Sequence, residues 1–194
     1  MQKVFTVFEE HGLGLERDNK VRLVDHNNKW RDVFKFESNR IVESLNINSL
    51  KLHHCGSTAI PNIVAKPILD IVGEISCLEE LDKKKDLLEK LGYEYKGEYG
   101  IEGRRYSVLY NFEKTKGFCH LHIFESGSKE LKDHIIFKDY LISNPSAALR
   151  YEELKKSLDI PRSEYSNAKT EIISELLEEA YKERSSLYED KRII

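Results

Sequence analysis

Three cysteines (Cys55, Cys77 and Cys119) in 194 residues do not make a disulfide framework. Their scarcity excludes a disulfide-stapled scaffold and points to a reducing cytoplasm. No apolar run approaches the roughly 20 residues that span a bilayer. The first residues, MQKVFTVFEEHGLG, carry charge too early and too little apolar length for a signal peptide. Neither sign of charge dominates: 31 Lys and Arg face 34 Asp and Glu, a net charge of -3. That balance speaks against a nucleic-acid binder held by bulk charge. Internal repeats and low-complexity linkers are also missing.

What remains is a globular composition, 40% hydrophobic and 34% charged, with a mean hydropathy of -0.55. The first twenty residues hold a short apolar segment, strand or helix, stopped by Gly12 and Gly14. Residues 21–24 read as a strand. A helix is expected over 29–45, where Trp30, Val33, Phe34, Phe36, Ile41, Val42 and Leu45 recur roughly at helical spacing. Strands follow over 49–55 and 67–75, the latter rich in β-branched residues. One helix is expected over 78–91, ending at Gly92. Residues 104–112 and 117–124 form a hairpin around the polar segment 113–116. After Ser126 the apolar period is helical, interrupted at Asn144-Pro145 and resumed to a long final helix. Strands with helices first and helices last make an α+β, or mixed α/β, chain.

Two patterns carry chemistry. In the first, a strand ends in Gly56-Ser57-Thr58, and Asp70 follows thirteen residues after Ser57 on the returning strand. Glycine allows close backbone approach, while a serine hydroxyl and free N–H groups cradle an anion. A phosphate cradle facing a carboxylate is how a magnesium–nucleotide complex is held. The plain alternative is a polar turn followed by one capping Asp. The second pattern is His120-Leu121-His122. Strand residues two apart share a face at about 6.6 Å, so both imidazoles can meet one metal or anion. Here the alternative is two polar residues on a half-exposed strand. His54, beside the Gly-Ser turn, is a further ligand candidate.

Lys66, Arg104, Arg105 and Lys169 are cations able to meet phosphate, each against the alternative of an ordinary surface cation. Cys55 and Cys119 read as core residues rather than nucleophiles. Lys83-Lys84-Lys85 reads as a solvated helix face. The alternating tyrosines 93, 95, 99, 106 and 110 read as packing before base stacking.

Several stretches together resemble the GrpB family, small bacterial proteins related to the nucleotidyltransferase superfamily. They are VRLVDHNNKW (21–30), HCGSTAIPNIVAKPILD (54–70), HLHIF (120–124), FKDYL (137–141), YEELK (151–155) and YSNAKTEII (165–173). The resemblance implies a nucleotidyltransferase-like mixed sheet backed by helices, with a helical C-terminal section. It divides the chain into an N-terminal extension (1–20), a core (21–126) and a helical section (127–194).

It also implies phosphate binding at Gly56 and Ser57 and metal binding at Asp70. The residues themselves add Thr58, Lys66 and Lys169 as phosphate or nucleotide contacts. They also add His54, His120 and His122 as ligands that would hold a divalent metal, Mg, Mn or Zn, with Asp70. Asp70 and His122 would act in catalysis. The chain departs from the superfamily pattern in one respect. Val72 stands where a second acid is expected, and no acid occupies the strand of His120 and His122. Glu74 lies about 13 Å along the strand from Asp70, too far to share an ion.

Three functions follow as alternatives. One is a metal-dependent transferase acting on a nucleotide or phosphorylated small molecule. Another is an inactive binding module that keeps the phosphate cradle. The third is an interaction protein using its charged C-terminal helices.

Overall fold

The computed structural model describes residues 2–190. It is a mixed α+β fold around a six-stranded sheet. Helix α1 (Gln2–Glu10) and the short β1 (Leu15–Glu16) lead, through an irregular segment, to α2 (Trp30–Leu45) and β2 (Lys51–Cys55). After a 3-10 turn at Ser57–Ala59 come β3 (Leu69–Ile75), α3 (Leu78–Asp82), α4 (Lys85–Lys90) and β4 (Tyr93–Tyr95). The hairpin is β5 (Arg104–Tyr110) and β6 (Lys116–Glu125). The remainder is helical: α5 (Lys129–Ser143), α6 (Pro145–Ser157), α7 (Arg162–Tyr165) and α8 (Thr170–Asp190). Among the described residues, no helix is long and apolar enough to cross a membrane.

The main strand order is β2-β3-β6-β5-β4, with β1 pairing the start of β6. Strands β3 and β6 are parallel, and the other pairs are antiparallel. Alternation gives the sheet two different faces. Ile71, Cys119, Leu121 and Ile123 point to the larger core, which α2 covers with Trp30, Val33, Ile41 and Leu45. Burying one such aliphatic side chain contributes about 1.5–3 kcal/mol. The opposite face carries Cys55, Val72 and Phe124, and Leu131 of α5 packs on them. Farther along, α5, α6 and α8 build their own core with Ile60 and Ile63. The part of this second face left uncovered becomes a cleft.

The first residues are built into the larger core. Phe5 and Phe8 of α1 pack on Phe118, with ring centroids 5.2 and 5.7 Å away. The next segment has no strand: over 21–24 only Val24 pairs, as an isolated bridge to Ala65.

The single helix expected over 78–91 is two short ones. Lys84, at φ -111° and ψ 9°, leaves helical geometry. Its Nζ donates to the carbonyls of Leu45 (2.8 Å) and Asn46 (2.9 Å), closing the C-terminus of α2. Lys84 is thus a cap rather than part of a solvated face. Helix α5 starts at the Ser128 cap and α6 starts at Pro145, where a missing N–H costs nothing.

Candidate functional site

Strand β2 ends at Cys55, which pairs with Asp70 of β3. The chain then turns at Gly56, with φ 64° and ψ -174°. A Cβ here would stand 2.3 Å from Asp70 Oδ2, so only glycine allows the turn to lie against the carboxylate. The parallel register of β3 with β6 puts Asp70 beside His120 and Val72 beside His122. Asp70 Oδ1 lies 3.1 Å from His120 Nδ1. One ligand atom each from Asp70, His120 and His122 falls within 4.8 Å of the others. One carboxylate and two imidazoles suit a transition ion better than Mg, which favours an all-oxygen shell.

The electrostatics keep this triad ready to accept positive charge. Burial would raise the Asp70 pKa, but the hydrogen bond from His120 and the nearby cationic groups outweigh it, and the carboxyl is held at about 2. Burial pushes His122 down to about 3 despite the pull of Asp70. At neutral pH His122 is therefore an uncharged imidazole, the form that ligates.

Gly56, Ser57 and Thr58 border the same cleft of about 720 Å³ as the triad. Lys66 and Lys169 line it too, and they converge on one aromatic ring. Their Nζ atoms lie 5.0 and 4.7 Å from the centroid of Tyr165. Burial, followed by the charge of Lys169, lowers Lys66 to about 8, and burial also lowers Lys169.

His54 is not gathered with the triad. Cys55 shares the face of Asp70, so His54, one residue earlier, points to the opposite side. There it stacks on Phe34 at 5.1 Å and its Nε2 lies 3.0 Å from Thr58 Oγ1. Thr58 is buried and its hydroxyl is engaged by that imidazole.

Glu74 is likewise apart, paired with Lys51 at 3.0 Å. Arg105 is held by both oxygens of Asp82 at 2.7 Å. Cys55 and Cys119 are buried free thiols, and burial pushes Cys55 up to about 12, so both are core residues. Tyr93 and Tyr95 turn away to bond Glu37 and Asp82. Tyr99 and Tyr106 stay at the cleft.

The site also contains residues that sequence reasoning missed. Lys155 of α6 donates to the Val64 carbonyl and reaches Ser57 Oγ at 3.2 Å. Glu152, one helical turn earlier, accepts the Val64 N–H at 2.7 Å. Together they clamp the loop that follows the Gly-Ser turn. Burial and the charge of Lys169 lower Lys155 to about 7. His134 of α5 packs on His122 with centroids 5.7 Å apart. The spacing within YEELK was a usable signal: Tyr151 and Lys155 share one helix face.

Fold and site define the class: a mixed-sheet α+β protein with a carboxylate–imidazole triad beside a Gly-Ser turn. The chain belongs to the GrpB family, whose model ("GrpB protein") matches residues 20–179. The UPF0157 protein YqkA of Bacillus subtilis is 37% identical over 164 residues, covering 81% of this chain and 46% of YqkA. This chain thus spans about half the length of that relative. The glutamate-rich protein GrpB of Alkalihalophilus pseudofirmus is 32% identical over 176 residues, covering 86% of this chain and 99% of its own. The crystal structure of the conserved protein GrpB from Enterococcus faecalis superposes with a TM-score of 0.75 at 32% identity. It covers 84% of this chain and 99% of that one.

Proposed function

We propose that this chain is a metal-dependent, nucleotidyltransferase-like protein that acts on or binds a nucleotide or phosphorylated small molecule in the cytoplasm. The observation that carries the reading is the meeting of Asp70, His120 and His122 with the Gly56-Ser57 turn in one cleft. Backbone and hydroxyl donors at Gly56 and Ser57 receive phosphate oxygens, and Lys66 and Lys169 supply charge. Thr58 contributes through its backbone, because its hydroxyl is engaged by His54.

Asp70, His120 and His122 would hold a divalent ion, Mn or Zn in preference to Mg on donor chemistry. Such an ion would neutralise charge on a phosphate oxygen. Asp70 orients His120, and neutral His122 is available as a ligand or as a proton acceptor.

The test is thermal stability with and without a nucleoside triphosphate and Mg, Mn or Zn. A rise that needs both metal and nucleotide, and that disappears in Asp70→Asn, supports the reading. No rise with any combination removes it.

One observation favours a second reading, a binding module without turnover. Val72, at the position of the expected second acid, is buried against Phe124 and Leu131. Two-metal phosphoryl chemistry needs several oxygen ligands close together. Ligand binding without turnover supports the module, whereas turnover lost in Asp70→Ala removes it.

A further inference from the structure

Arg104 is a buried cation without a counter-ion. It is 7% exposed, and among the described residues it makes no ion pair. Its neighbour Arg105 shows the usual solution, a two-point bond to Asp82 on the other side of the sheet. Arg104 instead donates from Nε to the Glu98 carbonyl at 3.1 Å and from Nη2 to the Tyr99 carbonyl at 2.6 Å. Nη1 stands 3.5 Å from His122 Nδ1. A guanidinium has five N–H donors, so these contacts leave some of them without an acceptor.

Asp70 is bonded to His120, and Asp133 is held by Lys129 and Tyr181. Glu130 also lines the cleft, but it forms no ion pair with Arg104. Carbonyl dipoles steady a guanidinium but do not neutralise it. A buried charge normally has an opposite charge within reach.

The place of Arg104 in the fold says which ligand would supply that charge. Strand order runs from β2, with the Gly-Ser turn, through β3 and β6, with the triad, to β5, with Arg104. Arg104 thus borders the cleft across the triad from the Gly-Ser turn. Its guanidinium lies 4.8 Å from the centroid of Tyr106, which stacks on Tyr99 at 5.3 Å and 25°. The stack and the two carbonyl bonds hold the planar fork in one orientation, as oxyanion recognition requires.

We infer that Arg104 is a second anion seat, which takes the oxyanion of a second substrate, the group acceptor, on the β5 side of the triad. The acceptor is thus a small molecule bearing a carboxylate or a phosphate. This rests on the proposed function only in placing the reacting centre at the triad.

The experiment follows the Arg104 Nε–Hε resonance by NMR while inorganic phosphate or acetate is titrated into the full chain at constant ionic strength. A saturable shift is expected with at least one probe, and the probe that acts identifies a phosphate or a carboxylate acceptor. The shift should persist in the Lys66→Ala/Lys169→Ala double variant, which removes the charge of the first seat. Arg104→Met, in which the probe's binding is followed instead by the ring resonances of Tyr106, should weaken that binding at least tenfold, and Arg104→Lys, read the same way, should recover part of it. A resonance that does not saturate with either probe overturns the inference and leaves Arg104 as an anchor for the segment 98–99. Failure of the lysine variants to alter nucleotide binding would instead count against the proposed function and leave the Arg104 seat standing.

Discussion

Gly56 and Asp70 occupy a space that admits only one side chain: a Cβ on residue 56 would come within 2.3 Å of the Asp70 carboxylate oxygen. The phosphate-type turn and the first acid of the triad are therefore one structural unit. Moving either displaces the other.

Gly56→Ala tests that unit. The substitution meets both a left-handed φ of 64° and the Asp70 carboxylate. It should cost about 2–4 kcal/mol. Urea unfolding will show the loss. Metal affinity should fall with it, because Asp70 must swing away from His120 to make room.

His122 gives the protein an acid sensitivity. Its folded pKa, about 3, lies below the ordinary value of 6.5. Below pH 6.5 the unfolded chain takes up a proton that the folded chain refuses, so stability falls as pH drops from 6.5 towards 3. The slope from one such group is at most about 1.4 kcal/mol per pH unit. His54, at about 4, acts in the same direction. Unfolding free energies measured across this window should fall less steeply in His122→Gln than in the parent.

Asp70 acts at lower pH. Its folded value, about 2, is depressed from 3.8. Its contribution is complete above pH 3.8 and is lost as pH falls through about 2. Asp70→Asn should therefore differ most from the parent above pH 4, and the difference should narrow in acid. A gap that stays constant down to pH 2 would mean that His120 does not stabilise the carboxylate.

Lys155 and Glu152 tie the C-terminal helices to the site by holding the two ends of Val64's backbone. Lys155→Met leaves the Val64 carbonyl without its donor, at a cost of about 1–3 kcal/mol, offset by relief of the buried charge. The sharper readout is local. Amide exchange should quicken at residues 57–65 and stay unchanged in β5 and β6.

How much of this was legible in the sequence depended on the range of the interaction. The shared face of His120 and His122 follows from strand alternation alone. The same alternation puts His54 opposite Cys55, but only the pairing of Cys55 with Asp70 makes that the face away from the triad. The contact of Asp70 with His120 needs the parallel pairing of β3 with β6, which local pattern does not specify. The break at Lys84 was hidden for the same reason. Nothing local says that its amine closes the end of α2, some forty residues earlier. The helical period puts Lys155 on one face with Tyr151, but it says nothing of Ser57, the partner 98 residues away.

The most direct test of the central claim is isothermal titration of Mn and of Zn into the parent chain, Asp70→Asn and His120→Ala. The account predicts one equivalent bound by the parent and at least tenfold weaker binding in both variants, with a nucleoside triphosphate tightening the parent alone. Equal binding by all three proteins, or no binding by the parent, would contradict it.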